Sequence, residues 1–184
     1  MADVLDCGIR VYDDDYVKFK YKQYCNLIKD KLRTHQKPHD KRYHQGFFVP
    51  TRPAKCGNVM ETSEVQPVIY RSGWEKQFCE YCDTTDSIIF WMSEPIKILY
   101  KNPIQNRMSF YVPDFIIHYI DKSKKLHKVM IEIKPMKEAS LKEASNGYDR
   151  LMIAKNVMKW QSAINFCKKR GYEFKVLSDG VFRV

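Results

Sequence analysis

The sequence contains neither a long apolar run nor a basic segment followed by an apolar one at its start. A membrane-spanning helix needs about 18 consecutive apolar residues, and the longest runs here are far shorter. We therefore expect no membrane association and no secretory signal. The protein is expected to act in the compartment where it is made.

Cysteine is present, but without the pattern of a disulfide framework. The six cysteines lie at positions 7, 25, 56, 79, 82 and 167, and without an export signal we expect reduced thiols. Cys79 and Cys82 have the spacing of a zinc or redox pair, yet a structural zinc site needs a second ligand pair. We predict two semi-buried helix cysteines instead. His35 and His39 flank Pro38, which disrupts helical spacing, so a zinc cluster is not favoured there either.

The charge balance is basic and uneven. The chain of 184 residues has a net charge of +10, and residues 122–175 hold 14 Lys+Arg against 5 Asp+Glu. Such an excess indicates a polyanion partner, most simply nucleic acid, although a solvated basic face is the alternative. Hydrophobic residues at 44% and aromatic residues at 14% predict one folded domain with a core.

The stretch from Tyr111 to Pro135 carries the residues best suited to chemistry. Asp114 lies on an apolar strand predicted over residues 108–120, and Glu132 and Lys134 lie on the next strand. Side chains alternate along a strand, so Glu132 and Lys134 share a face that we expect to be open. Two carboxylates and a lysine suit Mg²⁺ or Mn²⁺ and phosphodiester hydrolysis. The alternative is an ordinary salt bridge at a strand end.

The remaining patterns predict a small mixed β-sheet flanked by helices, that is, an α/β fold. A helix begins at Ser72 with Glu75 in a capping box, and a longer helix covers about residues 149–170 and ends at Gly171. Strands are predicted over residues 88–100 and 172–177. Residues 46–71 read as an extended segment, and residues 1–45 as an arm with one short, weak helix.

Several short motifs resemble the head completion nuclease family of T-even-like tailed bacteriophages, within the PD-(D/E)xK nucleases. The resemblance covers roughly residues 46 to 180. The motifs are Phe48-Val49-Pro50, Lys55-Cys56-Gly57, Tyr70-Arg71-Ser72-Gly73-Trp74-Glu75, Pro113-Asp114, Ile131-Glu132-Ile133-Lys134-Pro135, Lys159-Trp160 and Lys169-Arg170-Gly171-Tyr172-Glu173-Phe174.

The resemblance implies a restriction-endonuclease-like core over residues 46–184 and a metal-dependent endonuclease acting on packaged DNA before tail joining. It implies that Asp114 and Glu132, with the Ile133 carbonyl, hold the metal and that Lys134 is the catalytic lysine. It also makes Glu75 a third ligand as well as a helix cap. Candidates for DNA phosphate contacts are Arg71, Lys137, Lys155 and Lys159.

The unmatched residues 1–45 are expected to fold onto head, portal or neck proteins. The protein is expected in the host cytoplasm during assembly, and its retention at the neck of the virion is left open. A structural neck protein on a nuclease scaffold is the second interpretation. A host-type repair or transposition nuclease, which shares the site but fewer of the other motifs, is the third.

Overall fold

The computed structural model describes residues 2–4, 10–34, 45–139, 142 and 144–178. The predictions for Cys7, His35 and His39 lie outside these residues. The strands are β1 (Ala2–Val4), β2 (Arg10–Tyr12), β3 (Gly46–Phe48), β4 (Val68–Tyr70), β5 (Ile88–Ser93), β6 (Ile98–Asn102), β7 (Arg107–Tyr111), β8 (Phe115–Ile120), β9 (Leu126–Ile133) and β10 (Glu173–Leu177). The α-helices are α1 (Asp14–Arg33), α2 (Gly57–Met60), α3 (Gly73–Thr84), α4 (Met136–Ala139) and α5 (Gly147–Arg170).

The main sheet has four strands in the order β10-β9-β8-β5, which confirms the predicted α/β class. β10 runs parallel to β9, with Val176 opposite Glu132 and Leu177 opposite Ile133. β8 reaches β9 through a tight turn closed by a hydrogen bond from the Asp121 amide to the Lys125 carbonyl at 3.0 Å. A tight turn joins antiparallel strands, so the sheet is mixed.

The chain forms two compact units. The first unit contains Met1–Ser93 and Ile117–His127, and the second contains Glu94–Ile116 and Lys128–Val184. In the second unit, α5 packs against β6 and β10. Within the part of the chain that the structure describes, no helix is both long and apolar enough to cross a membrane.

Two predicted strands are each broken into two. The strand expected over residues 108–120 is interrupted between β7 and β8, where Pro113 has no amide hydrogen for a sheet hydrogen bond. The strand expected over residues 88–100 is interrupted between β5 and β6, at Glu94 with φ of 47° and Pro95. β6 pairs with β7 instead. These breaks create a β6–β7 hairpin that the sequence patterns did not predict.

The segment from residue 46 to residue 71 is more ordered than an extended layer. β3 pairs with β4, and all four residues of α2 are buried. The Asn58 amide group donates to the Ser93 carbonyl at 3.0 Å, and the Asn58 carbonyl oxygen accepts from the Ser93 amide at 2.8 Å. The Asn58 side chain thus makes the backbone hydrogen bonds to Ser93 that a neighbouring strand would otherwise make. No periodicity in the sequence indicates this contact.

The helix expected to be short and weak, α1, is 20 residues long and packs into the first unit. Asp13 caps it by accepting hydrogen bonds from the amides of Asp15 and Tyr16. Its Tyr24 is fully buried: the hydroxyl donates to the Phe48 carbonyl at 2.6 Å and accepts from the Val68 amide at 3.0 Å. Tertiary contacts therefore stabilise a helix whose own propensity is modest. A partner-binding role for residues 1–45 stays a prediction.

The ends of α3 and α5 follow the local signals. The Ser72 hydroxyl accepts from the Glu75 amide at 3.2 Å, and α3 ends at Thr84. α5 ends before Gly171, whose φ of 69° is the left-handed conformation that glycine adopts freely. Cys79 and Cys82 are fully buried on α3, rather than semi-buried, and they are free thiols.

We expect Tyr24→Phe to destabilise the protein by about 1–3 kcal/mol, because it leaves the buried Val68 amide without a partner and removes the hydrogen bond to the part-buried Phe48 carbonyl. Urea unfolding measures the change. Tyr81→Phe is the matched control, since Tyr81 is 55% exposed on α3. Equal stability of the two variants would show that the Tyr24 hydroxyl does not hold α1 in place.

Candidate active site

Asp114, Glu132 and Lys134 come together in the second unit through backbone contacts around the end of β9. Asp114 lies in the link between β7 and β8, and its Oδ2 accepts a hydrogen bond from the Ile133 amide at 2.7 Å. The Lys134 amide donates to the Leu177 carbonyl of β10 at 2.9 Å. The predicted convergence of these three residues is therefore present in the structure.

Glu132 lies in the interior, with 2% of its surface exposed. The Tyr111 hydroxyl donates to Glu132 Oε2 at 2.6 Å, and Lys134 Nζ lies 3.6 Å from Glu132 Oε1. The expectation of one packed and one open strand face is wrong here, because residues 129 to 133 are all buried. Burial raises the pKa of Glu132, while the positive charge of Lys134 and the Tyr111 hydrogen bond act in the opposite direction.

A second lysine, Lys159 of α5, also belongs to this cluster. Its Nζ lies 5.5 Å from the centroid of the Tyr111 ring, in a cation–π position. Burial lowers the pKa of Lys159, Glu132 acts in the opposite direction, and the nearby positive charges of Lys134 and Lys155 lower the pKa further. Lys159 is half-buried beside the carboxylates. Its contact with a DNA phosphate stays a prediction, and such a contact would be made within the site.

Tyr111 is a member of the site that sequence reasoning missed. Burial and the negative charge of Glu132 raise the pKa of Tyr111. Its hydroxyl therefore keeps its proton at neutral pH and acts as a hydrogen-bond donor to Glu132. The available signal was a tyrosine three residues before Asp114, but sequence spacing does not show which way its ring turns.

The other residues predicted for the site are Glu75, Arg71, Lys155 and Lys137. Glu75 lies in the first unit, where its Oε2 accepts from the Arg71 amide at 2.7 Å and its Oε1 accepts from the Ser72 hydroxyl at 3.0 Å. The cap is confirmed, and a ligand role for Glu75 stays a prediction. Arg71 is exposed and Lys155 is half-buried. The side chain of Lys137 lies outside the part of the chain that the structure describes.

The donor set of Asp114 and Glu132 fits a hard divalent cation. Among the described residues, no three His, Cys, Asp or Glu side chains form a metal-binding group, so the protein offers two carboxylates here. Mg²⁺ is commonly bound by one or two carboxylates and keeps several waters. The raised pKa of Glu132 shows that its burial disfavours the anion, and a cation beside it would stabilise that anion.

A mixed sheet flanked by helices, with an aspartate and a Glu-x-Lys pair at adjacent strands, defines a restriction-endonuclease-like nuclease core. Comparison with known proteins gives the family. The sequence model for the TnsA-like endonuclease N-terminal domain matches residues 85–179. The chain is also 30% identical, over 152 residues, to the protein named head completion nuclease of Enterobacteria phage T4. That similarity covers 76% of this chain and 94% of the phage T4 protein. The chain belongs to the head completion nuclease family, as its sequence motifs predict.

We expect Tyr111→Phe to cost about 1–3 kcal/mol of stability at neutral pH, with the cost growing as pH rises. Burial gives Glu132 a raised pKa, so the metal-free protein loses stability as pH rises through that pKa. The Tyr111 hydrogen bond stabilises the ionised form, and its removal makes this loss larger. Urea unfolding in a chelating buffer between about pH 4 and pH 8 measures the difference.

Tyr100→Phe is the matched control, because Tyr100 is a buried tyrosine on the same face of the β6–β7 hairpin. The control is expected to show no comparable growth of its cost with pH. A constant difference between Tyr111→Phe and wild type across this range would contradict an ionised Glu132 as the acceptor.

Proposed function

We propose that this protein is a divalent-metal-dependent DNA endonuclease that hydrolyses phosphodiester bonds. The observation that carries the proposal is the buried Glu132 carboxylate, held by Tyr111 and Lys134 beside Asp114. A buried carboxylate with a raised pKa is costly for a structure. Such groups are concentrated at functional sites, and membership of a nuclease family supports this interpretation.

Each residue of the site has its own proposed role. Asp114, Glu132 and the Ile133 carbonyl would hold Mg²⁺ or Mn²⁺, which when bound would activate water and stabilise negative charge on phosphorus. Tyr111 keeps Glu132 oriented with one oxygen engaged. Lys134, whose side chain is 27% exposed, lies where it can orient the attacking water and neutralise charge on the phosphate.

Membership of the head completion nuclease family supports a place for this reaction in phage assembly. The relative from phage T4 is named a head completion nuclease, so we propose that this chain acts on packaged DNA late in head assembly, before tail joining. The reaction would occur in the host cytoplasm, with the protein then retained at the head–tail neck. Residues 1–45 would contact head, portal or neck proteins. Arg71, Lys137, Lys155 and Lys159 would contact DNA phosphates.

Asp114→Asn, Glu132→Gln and Lys134→Ala are each expected to reduce cleavage of linear and supercoiled DNA by about 10²–10³-fold, the scale for removing one preorganised charged group. The assay contains Mg²⁺ or Mn²⁺, and circular dichroism checks folding. Glu173→Gln and Lys175→Ala are matched controls, because these residues form an exposed ion pair at 3.2 Å on the neighbouring strand β10.

Full activity in all three site variants would contradict the assignment. A wild-type protein that binds DNA but cuts it with neither metal would favour the second interpretation, a structural neck component on a nuclease scaffold. Activity that persists in a chelating buffer would contradict the metal dependence alone.

Glu75→Gln separates the two roles of this residue. The carbonyl oxygen of glutamine can accept from the Arg71 amide, and its NH2 group can donate to the Ser72 hydroxyl oxygen, so the helix should keep its stability. Loss of the negative charge should reduce cleavage about tenfold or more if Glu75 is a ligand. Thermal unfolding and the cleavage assay are compared, with Glu80→Gln on the exposed side of α3 as control. Unchanged cleavage would leave Glu75 as a cap only.

A further inference from the structure

The β6–β7 hairpin presents one exposed apolar face. In its antiparallel register Leu99 lies opposite Phe110, and Lys101 lies opposite Met108. Opposite residues in such a pair point to the same side, so these four side chains form one surface, the hairpin outer face. Leu99 is 51% exposed, Met108 is 55% exposed and Phe110 is 67% exposed. Large apolar side chains clustered at a surface mark a binding site more often than scattered ones do.

The opposite face fixes the hairpin to the active site. Ile98, Tyr100 and Tyr111 are buried, and β6 packs against α5. Tyr111 makes the hydrogen bond to Glu132, so adjacent residues of β7 point to the site and to the outer face. At the tip, the buried Asn102 accepts hydrogen bonds from the Ile104 amide at 3.0 Å and the Gln105 amide at 3.3 Å. The turn is therefore preorganised.

The charge of this segment indicates its partner. Residues 95–113 contain Lys97, Lys101 and Arg107 and no aspartate or glutamate. All three cationic residues are exposed. Cations beside apolar side chains on a narrow two-stranded ribbon match the surface of a DNA groove, where phosphates line the edges and sugars and bases line the floor.

The length of chain between Phe110 and Asp114 limits the distance between the hairpin outer face and the active site. Asp114 is four positions after Phe110, and an extended chain spans at most about 3.5 Å per position, or about 14 Å in total. This is close to the width of the major groove of DNA, about 12 Å. A duplex with a phosphate at Asp114 would therefore lie within reach of the hairpin outer face.

We propose that the hairpin outer face docks into a groove of duplex DNA beside the phosphate that is cut. Phe110, Leu99 and Met108 contact sugars and base edges, and Lys101 contacts a flanking phosphate. The hairpin would then hold the duplex in register with Asp114 and Glu132. This inference rests on the proposed nuclease function and names the element that positions its substrate.

The test measures binding to a fluorescently labelled duplex in a chelating buffer, where no cutting is expected. The double variant Leu99→Ser/Phe110→Ser should bind at least about tenfold more weakly, the scale for losing contacts of large apolar side chains. Its slope of log affinity against log salt should not change. Lys101→Ala should reduce that slope by about one unit. Leu151→Ser/Val157→Ser, on exposed positions of α5, is the matched control and should bind like wild type.

Each outcome is decisive. If wild type binds and cuts DNA, and the hairpin variant binds as tightly as the α5 control, the inference is overturned and the proposed function stands. If wild type neither binds nor cuts the duplex, both are overturned. Sedimentation tests a second copy as the occupant: a wild-type dimer that the hairpin variant converts to monomer, with unchanged DNA affinity, also overturns the inference.

Discussion

The burial of one carboxylate, Glu132, constrains much of the second unit. An ionised carboxylate in an apolar interior is unfavourable by several kcal/mol unless hydrogen bonds and opposite charges surround it. Here they come from Tyr111 at the end of β7, from Lys134 directly after β9, and from Lys159 on α5. Each partner lies on a different element, so the hairpin, the sheet and the long helix must keep their positions together.

The break at Pro113 connects this constraint to the shape of the chain. Because proline cannot donate to a sheet ladder, the chain leaves β7 and starts again as β8 in a different sheet. Asp114 lies at the break, where its carboxylate accepts from the Ile133 amide and its carbonyl accepts from the Glu94 amide at 2.9 Å. The break at Pro113 thus places the Asp114 carboxylate at the site and separates the β6–β7 hairpin from the main sheet. The hairpin can then contribute Tyr111 on one face and leave its other face exposed.

Much of the site could be predicted from the sequence because it depends on short-range chemistry. Strand alternation brings Glu132 and Lys134 to one side, and the motif adds Asp114. Tyr111 was not predicted, since the direction of its ring depends on how β7 pairs with β6. Lys159 was predicted only as a phosphate contact, although the structure places it half-buried over the Tyr111 ring. In both cases the missing information is a contact between distant parts of the chain.

The sequence by itself determined the α/β class, the capping of α3 by Ser72, the end of α5 at Gly171 and the family. These features depend on backbone preferences and hydrogen bonds within a few residues, or on motifs read directly. Only the tertiary structure decided that both faces of β9 are buried over residues 129–133, that α1 packs through Tyr24, and that the strands break into a separate hairpin. Alternation defines two faces of a strand but not what covers them, because burial is the sum of contacts with residues far away in the chain.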